Sequence, residues 1–190
     1  MRKSILHFTA AAAMVIITTN AFAHPGHGGA LIAGLAHPLG GADHLIAMLA
    51  VGLWAAQLGG RAIWAVPLAF VGAMAFGAVL AFNNVTPSAI EQGIAASLFV
   101  LGLVIASARK LSVAAAMTLT AMFALFHGAA HGGELPALAD PVRYAAGFLA
   151  ATAALNACGA LLGLALRRHA ALTRAAGAIS AIAGALLLVG

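Results

Sequence analysis

Charge is the scarcest resource in this chain: 7% of its 190 residues are charged and only four are acidic. With 64% hydrophobic residues and a mean hydropathy of +1.07, that excludes a soluble domain, which could not hold such a surface in water. Cysteine occurs once, at Cys158 inside an apolar stretch, so no internal disulfide can form and the residue reads as a small packing side chain. A phosphate-cradling GxxxxGK[ST] loop is absent, which argues against nucleotide binding and ATP hydrolysis by this chain. The formal charge of +5 falls to +3 if Arg2 and Lys3 leave with an N-terminal leader, too small and scattered a charge for nucleic-acid binding. The chain has room for one bundle and no separate soluble domain.

What is present is a succession of apolar runs. Arg2 and Lys3 precede an apolar stretch to about Ile17 and the small-x-small site Ala21-Phe22-Ala23, the pattern of a cleavable signal peptide over residues 1–23. Residues 24–190 then read as an all-α polytopic bundle of six transmembrane helices, near 30–58, 62–82, 87–108, 111–131, 141–166 and 171–189. Between them fall Gly59-Gly60-Arg61, Asn83 to Pro87, Arg109-Lys110, Gly132 to Pro141, and Arg167-Arg168-His169. If the mature N-terminus faces outward, the inner connections hold Arg61, Arg109, Lys110, Arg167, Arg168 and Arg174, and the outer ones only Arg143. The positive-inside rule supports that orientation, with both mature termini outside. Small residues such as Gly159 and Gly163 read as sites of close helix packing. A weak echo between His24–Gly29 and His127–Gly133 hints at two three-helix halves of opposite orientation.

Against this apolar background, polar residues stand out. Two segments read His37-Pro38-Leu39-Gly40-Gly41-Ala42-Asp43-His44 and His127-Gly128-Ala129-Ala130-His131-Gly132-Gly133-Glu134. A carboxylate at the centre of a bilayer costs about 2.5–3.5 kcal/mol even on lenient scales, so such residues mark function by default. In a single first helix, His37 and His44 would share a face two turns apart, with Met48 one turn below. His127, His131 and Glu134 repeat the arrangement at spacings of four and three, which are metal-ligand spacings. Glu91 comes from the third span. His44, Glu91 and His127 each stand about 25–27 Å from a basic inner anchor at 1.5 Å per residue, which predicts one shared level in the outer part of the membrane. Imidazole mixed with carboxylate suits Ni²⁺, Co²⁺ or Zn²⁺ over Mg²⁺, Ca²⁺ or Cu⁺. The bland reading of a membrane histidine is an interhelical hydrogen bond, and Thr152 and Asn156 are expected to make such bonds. His24 and His27, with the new terminal amine, read either as an ion-capturing entrance or as a tail. His169 reads as a solvated neighbour of two arginines, Gln57 as interfacial, and no inner gate is legible.

The residues His37-Pro38, Gly41-x-Asp43-His44 and Ala47-Met48-x-Ala50-Val51-Gly52, followed by His127-Gly128-x-Ala130-His131-Gly132-x-Glu134-x-Pro136, resemble the HupE/UreJ family of bacterial nickel or cobalt permeases. That resemblance covers essentially the whole processed chain. It implies a non-enzymatic secondary permease of a bacterial inner membrane, carrying Ni²⁺ or Co²⁺ for hydrogenase or urease maturation, with His37, Asp43, His44, His127, His131 and Glu134 as essential residues. Glu91 rests on the depth reading. The implied partners are lipid, the divalent ion and downstream maturation proteins, with no prosthetic group, nucleotide or nucleic acid; a homo-oligomer stays open. Two rivals remain at this point: an intramembrane metalloenzyme using the same ligands, although HExxH is absent, and a non-transporting metal sensor.

Overall fold

Residues 29–190 are described by a computed structural model, and among them all regular structure is helical. The predicted signal peptide and residues 24–28, with His24 and His27, lie outside the described residues. The helices are α1 (Gly29–Gly40), α2 (Ala42–Leu58), α3 (Ala62–Phe82), α4 (Ile90–Ser107), α5 (Val113–Gly133), α6 (Pro141–Ala165) and α7 (Ala170–Val189), with one 3-10 turn at Leu166–Arg168. Five of the spans, α3 to α7, are long and apolar enough to cross a membrane, and α1 with α2 makes a sixth if the pair counts as one.

The helix boundaries follow local chemistry. Ser112 accepts from the Ala115 amide and Asp140 from the Arg143 amide, capping α5 and α6, and Pro141 opens α6 where its missing N–H costs nothing. Gly59 and Gly60 take positive φ of 75° and 53° in the turn after α2, a backbone that other residues rarely adopt.

The first predicted helix is the part the structure corrects. Instead of one rod over 30–58, α1 and α2 meet at an 85° bend. Pro38 offers no N–H to the carbonyl one turn back, and Gly41 is extended at φ −106°, ψ 121°, so the hydrogen-bond ladder stops there and restarts at Ala42. A helix of 12 residues is about 18 Å long and cannot cross a hydrocarbon core of about 30 Å.

Where α1 goes instead is set by α6. Gly52 of α2 faces the backbone of Asn156 and Ala160, and Gly163 faces Ala56, so α2 and α6 run parallel in contact. That register puts Ala42 level with about Leu149, roughly 12 Å inside the start of α6. The space left beyond the start of α2 is occupied by α1, whose Gly34 packs on the Tyr144–Phe148 backbone and whose Leu35 amide approaches Gly147.

Close backbone approach at glycine holds the other seams as well. Gly77 and Gly128 join α3 to α5, and Gly102, Gly177 and Gly184 join α4 to α7. In lipid, where apolar side chains gain little by leaving the tails, such dispersion-rich contacts are what hold helices together. The spans thus pair first with fifth, second with fourth and third with sixth, a pattern preserved when the two three-helix halves are exchanged. Cys158 departs from expectation: it is exposed on α6 and packs no seam.

Candidate metal site

A cavity of about 490 Å³ opens at the end of the bundle where α2 and α4 begin and α5 finishes, lined by His37, Asp43, His44, Glu91 and Glu134 together with Ala33, Ala36, Gly40 and Gly41. His127 and His131 are fully buried behind it. All seven candidate ligands within the described part therefore line the cavity or lie behind it, from α1, α2, α4 and the end of α5. The depth reading is the reason for three of them: His44 opens α2, Glu91 opens α4 and His127 nears the end of α5, all at one end of the bundle.

The bend alters how two of them meet. His37 and His44 do not share a helical face as the spacing predicts, because they sit on separate helices; the 85° turn brings His37 over the cavity from α1. Edge-to-face contacts then link the imidazoles in series. Ring centroids are 4.8 Å apart for His37 and His131, 4.7 Å for His131 and His44, and 5.0 Å for His44 and His127. Aromatic side chains close the surround, with Phe148 stacked on His131 at 5.0 Å and Phe70 5.7 Å from His127.

Hydrogen bonds assign the ring nitrogens. The Asp43 carboxylate accepts from His44 Nδ1 at 3.0 Å and from the His44 amide at 2.7 Å, so the bare nitrogen of His44 is Nε2, which is buried without a protein partner. Glu134 accepts from His37 Nε2 at 2.6 Å. Ser97 holds His127 in place: its Oγ lies 2.6 Å from the Ile94 carbonyl and 3.0 Å from His127 Nε2, so the hydroxyl bridges the α4 backbone and the imidazole. His127 Nδ1 is buried without a protein partner. Both nitrogens of His131 are buried and unpaired as well.

One ring nitrogen tied to an oxygen acceptor, with the other left bare, is how proteins prepare histidine to bind a metal. Leaving buried polar atoms without a protein partner costs about 1–3 kcal/mol each, which a bound cation would offset. As arranged, however, no group of three or more His, Cys, Asp or Glu side chains among the described residues is set to hold an ion. The carboxylates of Asp43 and Glu134 are turned onto imidazoles, so a cation would have to draw them away from those pairs. Both carboxylates line the open cavity, and Glu134 is 57% exposed, which leaves them room to turn.

Ser97 was missed from sequence, although a signal existed: it is a hydroxyl six residues after Glu91 in an apolar run. Thr152 and Asn156 are expected to bond between helices, and only Thr152 reaches across, its Oγ1 lying 3.4 Å from Met74 Sδ and 2.8 Å from its own Phe148 carbonyl, which compete for the single hydroxyl hydrogen. Both polar atoms of Asn156 are buried without a partner. Gln57 ties α2 to α4 through the Ile105 carbonyl.

Comparison with known proteins adds an independent line. The family model described as HupE / UreJ protein matches residues 12–187. Protein HupE of Rhizobium leguminosarum bv. viciae is 43% identical over 187 residues, covering 96% of this chain and 97% of that protein. No solved structure matches.

Proposed function

Because the chain belongs to the HupE/UreJ family, we propose that it is a secondary permease that takes up Ni²⁺, or Co²⁺, across a bacterial inner membrane and supplies it to hydrogenase or urease maturation. The observation that carries this reading is the outer cavity, where His37, Asp43, His44, Glu91 and Glu134 face the opening in front of buried His127 and His131. Neutral imidazoles and carboxylates together suit a borderline divalent ion over Mg²⁺ or Ca²⁺. Their position at the outer end, opposite the basic connections, favours entry from the periplasmic side with both mature termini there.

In this reading His24 and His27 raise the ion concentration at the entrance. Asp43, Glu91 and Glu134 neutralise the arriving charge, and the imidazoles replace water. No nucleotide is used; an inside-negative potential contributes about 4.6 kcal/mol per 100 mV for two charges. The ion is cargo, so neither a prosthetic group nor catalysis is part of the proposal.

The test is uptake of radiolabelled Ni²⁺ by cells with and without the protein, with Co²⁺ and Zn²⁺ as competitors. Accumulation that requires the protein, and that His131→Ala abolishes while the variant still reaches the membrane, supports the permease. Tightly held stoichiometric metal without accumulation would instead favour an intramembrane enzyme or sensor.

A further inference from the structure

Directly inside the histidines lies a group of side chains that the outer cavity does not use. Gly128 packs against the Met74 backbone, which sets Met74 level with His127. Thr152 of α6 reaches Met74 Sδ with its hydroxyl, and both residues are fully buried. One turn further along the same face of α6 is Asn156, 1% exposed, with neither its amide oxygen nor its amide nitrogen partnered. The α2–α6 register places Asn156 one to two turns deeper than His44, level with about Leu49, which follows the fully buried Met48 in α2.

We infer that Asn156, Thr152 and the thioethers of Met74 and Met48 form a second, deeper cation station that receives a divalent ion from the histidine cavity. The inference rests on the transport reading and adds to it the next step inward. Asn156 is the key to it. The neighbouring seam is built from Gly52, Gly159 and Gly163, which achieve close packing without an amide, so helix association does not call for asparagine here. A carboxamide oxygen and a hydroxyl oxygen are neutral donors that a borderline cation accepts, and the polarizable thioethers add softer, weaker contacts beside them. Being neutral, they bind it weakly enough to let it go, as conduction through successive sites requires. An ion leaving the imidazoles would otherwise face the apolar interior of Phe70, Phe148 and Trp54, all fully buried.

The experiment uses the full chain in proteoliposomes under an imposed inside-negative potential, with Ni²⁺ as the probe. Asn156→Leu keeps the side-chain size and removes both polar atoms. Its thermal midpoint should match or exceed that of the unmodified chain, because a buried unpaired amide is replaced by a packed apolar group. Equilibrium Ni²⁺ binding should stay within about twofold and initial uptake should fall by at least about tenfold. Uptake at the unmodified rate would overturn the station. So would a parallel loss of thermal midpoint and outer-site affinity, which would assign Asn156 to the scaffold. Should Asn156→Leu fail to fold, Thr152→Val, nearly the same shape, decides: slowed uptake with unchanged binding supports the station, and unchanged uptake refutes it. Failure of the unmodified protein to accumulate Ni²⁺ would instead sink the transport reading, a result distinct from any variant-to-parent ratio.

Discussion

Replacing Ser97 by alanine removes one oxygen atom from a fully buried position and tests how the histidine site is built. Two contacts disappear, one with the Ile94 carbonyl and one with His127 Nε2. The first has little energetic consequence, since that carbonyl already belongs to the α4 ladder. The second leaves His127 Nε2 unpaired in a buried place, a stability loss of about 1–3 kcal/mol. It also releases the contact that orients the His127 ring, whose Nδ1 has no protein partner. Loss of such an outer partner typically lowers metal affinity about 10–100-fold, equivalent to about 1.4–2.8 kcal/mol. A matched control is at hand in Ser180, which is buried in α7 and donates to the Leu98 carbonyl at 3.1 Å without touching a histidine. Ser180→Ala removes only a bond to an α4-ladder carbonyl, so it should cost little stability and leave affinity alone. The assay is Co²⁺ or Ni²⁺ titration of both purified variants beside thermal unfolding. Equal affinity in Ser97→Ala and Ser180→Ala would refute the role of Ser97 in orienting His127, and with it His127 as a ligand positioned from α4.

The remaining predictions concern the bend, the seams and the orientation. In Gly41→Ala the new methyl would come within 2.7 Å of Asp43 Oδ1 and 3.3 Å of His44 Nδ1, so the flexible carboxylate must move off the imidazole; metal affinity should drop about tenfold with the fold intact, and unchanged binding would mean that the Asp43–His44 pair does not prepare the site. Gly177→Val drives a side chain into the Ala106 amide at 2.6 Å and the Gly102 carbonyl at 2.8 Å. Overpacking of about 1–3 kcal/mol or more should lower the thermal midpoint in detergent, and an unaltered midpoint would show a looser α4–α7 seam than described. In a Cys158→Ser background, an impermeant maleimide applied to spheroplasts should label Asn84→Cys and spare Lys110→Cys. The opposite pattern would invert the orientation and put the cavity on the cytoplasmic side.

Much of the bundle was legible because membrane spans are a one-dimensional property. A run of about 20 apolar residues must be helical in lipid, since no water is there to satisfy its backbone. Five predicted spans accordingly correspond to α3 through α7, with ends shifted by no more than a few residues. At Ala89 and Ala108, left-handed backbone of φ 60° and 52° bounds α4 at residues where composition signals no stop. The site residues were legible for a related reason: ionisable groups are so costly in lipid that each survivor is conspicuous. Matched depth then predicted that they meet.

What composition could not convey is direction. Hydropathy counts apolar residues without regard to the path of the backbone, so the turn at Gly41 vanished inside one long apolar run, and Pro38 could equally have made a mild kink. Only packing against α6 decides that α1 folds across the outer layer and delivers His37 to the cavity from above. The same holds for Ser97 and Asn156. A hydroxyl and an amide in apolar helices look alike in sequence, and tertiary contacts alone determine that one orients a histidine while the other is buried with nothing to bond. The chain by itself thus set its membrane environment, its spans and its chemically distinctive side chains, through local free energies of transfer. Which nitrogen is bare and which carboxylate is turned onto an imidazole depend on distances between residues far apart in sequence, and those exist only once the helices have packed.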